Sequence, residues 1–175
     1  MNRIPAQEAI DRFALHKYVG RYSNVFDRED ADGYVRVYDG DHHVKGNLDL
    51  DYGRAWGGDV GMVVNGNLTV SGNIMNGERN FGAFLVVFGS VQARHLVAGG
   101  SSIHVTRDAR LAGIILGHYT HGTLVIEGET EAAMIISGDH TTRIRTTSPY
   151  SNQALPLSDL IVRIAQGEPL AGVAD

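Results

Sequence analysis

The sequence predicts a mainly β protein, a parallel β-solenoid of about five coils flanked by two short helices. Three observations carry this reading: a recurring apolar pattern, glycine concentrated in the middle of the chain where proline is absent, and helix start and stop signals at both ends. Five segments superpose: Val44 to Leu50, Val64 to Val70, Val87 to Ala93, Val105 to Leu111 and Ile126 to Ala132. Their anchors, Gly46, Gly66, Gly89, Arg107 and Gly128, step by 20, 23, 18 and 21 residues. A recurrence of that length marks units that cannot bury their apolar face alone and must stack.

Residues two before, two after and four after each anchor share one face of an extended strand, and they are apolar in nearly every segment. Polar residues such as Lys45, Thr69, Gln92, Arg110 and Glu131 alternate with them and face water. A second strand follows at Asn73-Ile74, Leu96-Val97, Ile114-Ile115 and Ile135-Ile136. Of 22 glycines, 18 lie between Gly40 and Gly138, where corners need positive φ or close backbone approach. All four prolines, Pro5, Pro149, Pro156 and Pro169, lie outside that span, as expected if its backbone amides are committed to ladders. Arg107 breaks the glycine column and predicts an irregular coil.

The flanks read as covers for the open sheet edges of a stack. From Pro5 to Tyr18, Ala9, Ile10, Phe13 and Ala14 form an apolar side, with Gly20 as a stop. From Ser158 to Gln166, Ser158 is the expected N-cap, Leu160, Ile161, Ile164 and Ala165 the buried side, and Gly167 and Pro169 the stop. The expected organisation is a helical cap and polar connection over 1–33, a β-helix over 34–146, and a helical cap and tail over 147–175.

A net charge of −5 without a basic run disfavours nucleic acid. Absence of cysteine excludes disulfides and thiolate chemistry. The first residues lack a signal-peptide core, and no apolar run approaches the roughly 20 residues of a spanning helix. A cytoplasmic location without membrane insertion is therefore expected.

Histidines supply the candidate chemistry. His118, His121 and His140, with Asp139, fall at similar offsets in successive coils, and neighbouring rungs lie about 5 Å apart. Such a corner could hold a divalent metal such as zinc or act as an acid–base pair. The plainer reading is a polar corner with no cofactor, in which His and Tyr side chains hydrogen-bond exposed turn backbone and fill the gaps left by glycines. His42-His43, between Asp39 and Asp41, is a second cluster, and His95 and His104 sit beside apolar strand positions as structural histidines. The single tryptophan, Trp56, lies with Tyr52 and Arg54 in a glycine-rich excursion, and Arg79 and Phe81 lie in the next. The two loops form a candidate partner-binding rim, because Trp, Tyr and Arg supply most binding hot spots. No nucleophile elbow, phosphate-binding loop or His-Glu-x-x-His is present.

The repeats from Val44 to His140, with Gly-Asn-Leu-Thr-Val-Ser-Gly at 66–72 and Val-Val-Phe-Gly-Ser-Val at 86–91, resemble bactofilin-like polymer-forming proteins. In texture they are also similar to the glycine-rich β-helical C-terminal domain of glutamate synthase. The resemblance implies a right-handed parallel β-helix and a structural role. The fold expected from all of this is a right-handed parallel β-helix of about five coils with N- and C-terminal capping helices. The expected function is a non-enzymatic scaffold or protein-interaction module, self-associating or bound to a protein partner. The alternatives are a metal-binding or acid–base enzyme using the histidine corner, and a small acidic inhibitor or immunity-type protein that blocks a partner.

Overall fold

A computed structural model describes residues 1–20, 23, 26, 33–51, 57–77, 82–151, 157–168 and 170. The protein is mainly β, with parallel sheets that curl around a shared apolar interior. The chain enters through β1 (Asn2–Pro5) and α1 (Ala6–Phe13) and then lays down strands in successive sets. These are β2 (Tyr34–Asp39), β3 (His42–Val44) and β4 (Leu48–Asp49); β5 (Asp59–Asn65), β6 (Leu68–Val70) and β7 (Ile74–Met75); and β8 (Phe84–Val87), β9 (Val91–Ala93) and β10 (Leu96–Ala98). There follow β11 (Ser102–Val105), β12 (Ala109–Leu111) and β13 (Ile114–Gly117); β14 (Thr123–Glu131) and β15 (Met134–Ser137); and β16 (Thr141–Thr146) and β17 (Tyr150–Ser151). The helix α2 (Leu157–Gln166) closes the described elements.

Strands pair in parallel with their equivalents in the next set, which creates three rows. The first is β2-β5-β8-β11-β14, the second β3-β6-β9-β12-β14 and the third β4-β7-β10-β13-β15-β17. The long β14 runs through the corner between the first two rows, so they count as one sheet, and β16 adds to its far side. The interior is filled by Met62, Leu85, Ile103 and Leu124 from the first row, Leu68, Val91 and Ala109 from the second, and Ile74, Leu96, Ile115 and Ile135 from the third.

The pairing Leu68↔Val91, Val91↔Ala109 and Ala109↔Thr130 places Gly66, Gly89, Arg107 and Gly128 in one column, as the repeat alignment predicts. The first segment differs. His42 pairs with Leu68, and Leu48 with Ile74, so Gly40 and not Gly46 belongs to that column. Each early turn of chain carries two Gly-Asx corners six residues apart, at Gly40-Asp41 and Gly46-Asn47, then Gly66-Asn67 and Gly72-Asn73. The sequence Val44 to Leu48 matches Val64 to Leu68 as well as its true neighbour, Val70 to Ile74, so pattern alone slides it into the wrong corner.

The corners explain the residue choice. The Asp41 carboxylate accepts the Asn67 amide at 2.8 Å, the Asn67 side chain accepts Ser90 N at 2.9 Å, Asn47 accepts Asn73 N at 2.8 Å and Asp108 accepts Glu129 N at 2.9 Å. Side-chain oxygens thus satisfy the amides that bend out of the ladders. A Cβ on Gly66 would lie 2.4 Å from the Gly40 backbone carbon, so close approach requires glycine there. Gly40 has φ +95 and nothing within reach of a Cβ, so at the first corner it is backbone conformation that requires glycine.

The two flanking helices form, and they lie against sides of the stack. In α1, Ala6 and Ala9 pack with Leu15 and Val19 on the outward side of the first row, over Val35, Val37, Val63, Phe84 and Val86. This two-sided burial accounts for the unbroken apolar runs of β5 and β8. The helix stops earlier than expected because Ala14 adopts φ 50, and Leu15–Lys17 form a 3-10 turn. β1 pairs antiparallel with β2 and so seals the first row's edge, and the buried Asp59 carboxylate receives Arg3 and Arg36 across it at 2.5 and 2.6 Å. In α2, Ile164 packs on Met75, Val97, Ile114, Leu116 and Ile136, the outward side of the third row. Ser158 lies within α2, not at its cap. The stop is as expected: Gly167 takes φ 72, Gly167 N donates to Ile164 O and Glu168 N to Arg163 O at 3.1 and 2.9 Å. Among the described residues no helix is long and apolar enough to cross a membrane.

Candidate functional site

The histidine corner assembles in part. His118 is buried at the end of β13, and its Nε2 donates to the Asn76 carbonyl at 3.2 Å. His140 follows β15, and its Nδ1 lies 2.9 Å from Thr142 Oγ1. A Cβ on Gly117 would fall 2.9 Å from His140 Nδ1, and one on Gly122 2.9 Å from its Nε2. The imidazole therefore fills space that these two glycines leave. Burial first, then the neighbouring His118, pushes the His140 pKa down to about 4, against a smaller upward pull from the Gly99 backbone. Its Nε2 is buried without a hydrogen-bond partner of good geometry, so Gly99 is close without satisfying it.

His121 and Asp139 are exposed, and the His121 ring meets Tyr119 edge-on at 5.0 Å. Among the described residues no three His, Cys, Asp or Glu side chains are grouped as a metal ion requires. What the corner offers chemically is a buried imidazole, His118, beside a half-buried one, His140, whose Nε2 is turned inward. His140 is neutral at physiological pH and packed against backbone, a poor base and a tight space filler.

The other histidines have structural settings. His42 stacks on Tyr38 at 3.6 Å and its pKa is lowered, chiefly by burial. His43 is exposed, with Nε2 2.7 Å from Ser71 Oγ. His104 lies 2.8 Å from Glu127 and edge-on to Tyr18 at 5.0 Å. Tyr52, Arg54, Trp56, Arg79 and Phe81, the candidate partner-binding rim, lie outside the described residues.

Sequence reasoning treated the polar half of the repeat only as solvent-facing, yet it builds the one side of the stack that neither helix covers. The outward residues of the second row, His43, Thr69, Gln92, Arg110 and Glu131, pair in register from β3 through β14, and all are exposed. Arg110 and Glu131 are 3.4 Å apart, and Arg145 and Glu129 3.1 Å apart. The signal was the polar residue three after each anchor, whose alignment down the stack becomes visible only once the first segment is in register.

Beside that face, at the corner leading to the third row, a cleft of about 490 Å³ opens between the strands and the segment after α2. Gln92, Arg94, His95 and Ser71 line one wall, with Glu168 and Leu170 contributed by the C-terminal segment. His95 is buried and accepts the Ile114 amide on Nδ1 at 3.0 Å. Its pKa is lowered by burial and secondarily by Arg94. Comparison of this chain with protein-family models, curated proteins and solved structures found no match.

Proposed function

We propose that the chain is one right-handed parallel β-helix that acts as a non-enzymatic scaffold and self-associates through the bare outward face of its second row. Right-handedness follows from the chirality of parallel crossovers, which join each strand to the next in its row. The observation that carries the functional reading is the unequal treatment of the three sides. The chain's own termini roof the first and third rows with buried apolar contacts, while the second presents a flat polar ladder. Arg110 and Glu131 sit on adjacent rungs of that ladder with opposite charge, so a two-fold axis between them sets each arginine against the glutamate of a second copy. Aligned, rigid strands supply such a surface at low ordering cost.

The test is sedimentation equilibrium across a wide concentration range. The expected result is a reversible dimer that Gln92→Glu combined with Arg110→Glu converts to a folded monomer, with a modest fall in melting temperature because Arg110 gives up its ion pair to Glu131 while both positions stay exposed. A wild-type protein that stays monomeric throughout, or a dimer indifferent to the double substitution, rejects the assignment.

A further inference from the structure

We infer that the cleft at the corner of the second and third rows is a binding site for a short-chain aliphatic monocarboxylate. Its size falls in the range of small-molecule sites, about 300 to 1,000 Å³. Its chemistry is asymmetric. Arg94 places a guanidinium, a planar fork of N–H donors, at the wall. His95 stands next to it with a fixed tautomer. Because Ile114 N–H donates to Nδ1, the proton of the neutral ring resides on Nε2, and His95 therefore contributes a donor where it lines the cleft. The Gln92 amide and the Thr69 hydroxyl add further polar groups.

Arginine beside a neutral imidazole donor suits the planar, bidentate geometry of a carboxylate. Glu168 also lines the cleft, its charge met by Arg163 at 3.4 Å, which leaves Arg94 as the lining cation: one guanidinium matches the single charge of a monocarboxylate and not that of a dianion such as phosphate. The rest of the lining is aliphatic: Val70, Ala93, Ala112 and Leu170. That surface accommodates a short hydrocarbon tail, which an acetate-sized ion would leave unfilled. The cleft shares Thr69 and Gln92 with the exposed ladder used for self-association, while Arg94, His95 and the aliphatic lining lie off it, so hexanoate binding is followed at a concentration where sedimentation shows monomer and its outcome is separate from that of dimerisation.

The test uses the full chain and hexanoate as the probe, followed by backbone amide and imidazole NMR resonances. Saturable shifts are expected at His95 and at the Ala93 and Gly113 amides. Hexanol, which has the tail without the charge, should not reproduce them, and Arg94→Met should weaken hexanoate binding about tenfold or more, the loss of a charge-assisted hydrogen-bonded pair. Absence of saturable shifts, equal binding of hexanol, or unchanged affinity in Arg94→Met overturns the proposal. Should Arg94→Met fail to fold, Ala112→Phe provides the second arm, because Ala112 is exposed at the cleft and a ring there occupies the space. That variant should lose hexanoate binding while melting as the wild type does, and retained binding overturns the proposal equally.

Discussion

Acid should loosen this protein through one residue above all. His140 titrates at about 4 in the fold, against 6.5 for an unperturbed histidine, because it is buried against Gly117 and Gly122 and sits near His118. The folded pKa lies below the unfolded one, so between these limits the unfolded chain binds a proton that the folded chain refuses. Stability from this group is complete above pH 6.5 and falls as pH drops toward 4, at about 1.4 kcal/mol per pH unit. Across the whole interval the loss is about 3 kcal/mol, a large fraction of the roughly 5–15 kcal/mol that holds a typical domain together. Urea unfolding followed by circular dichroism at several pH values between 7 and 4 measures the slope. His42 and His95 are also shifted down and contribute in the same direction, so the comparison must be with His140→Gln, which removes only this term. The variant should show a shallower pH dependence, with the difference confined to the interval below pH 6.5. Parallel profiles for the two proteins would refute the buried, neutral assignment of His140.

Three further outcomes follow from packing. Gly66→Ala should cost about 1–3 kcal/mol or more by overpacking, since its Cβ would collide with the Gly40 backbone, whereas Gly138→Ala, with nothing within 4 Å and no positive φ, should melt within a few degrees of the wild type. Val87→Asp places a carboxylate in the apolar interior and should abolish cooperative thermal unfolding at neutral pH; a wild-type melt would reject the inward assignment of β8. Removal of residues from Leu157 onward bares the outward side of the third row around Val97, Leu116 and Ile136, so the truncated protein should bind a hydrophobic dye and associate. A soluble, dye-negative truncation would show that α2 covers nothing.

Much of this architecture is legible because the second row is written in strict alternation. Val91, Ala109 and Thr130 occupy the same position down the second row, and inward residues recur wherever an anchor is correctly aligned. Legibility fails where two corners carry the same chemistry. Gly-Asx at 40–41 and at 46–47 are physically equivalent turns, so local pattern cannot tell which one faces Gly66. It also fails for β16, whose Thr-Thr-Arg-Ile-Arg-Thr has a single inward-packing aliphatic residue, Ile144, and no glycine corner to announce it. The histidine corner could be located from offsets, because rungs align. Its plainer character, side chains filling gaps left by glycines, was legible too, but that Gly117 and Gly122 are the glycines that make room for His140 depends on how the rungs stack. The cleft depends on the C-terminal segment returning to Arg94 and His95, a contact between distant parts of the chain that no local pattern encodes.

The antiparallel β1 gives the stack a direction. Every other strand pairing in the molecule is parallel among the described residues, and a parallel row accepts another parallel strand at either margin. β1 occupies the margin beside β2 and is fastened there by Arg3 to Asp59, so an incoming chain would have to break that ion pair and peel β1 away to pair in parallel with β2. The opposite margin, at β16, has no such lock among the described residues. The two margins of the first row are therefore unequal templates, while the second and third rows end at β3 and β4 with no further strand among the described residues.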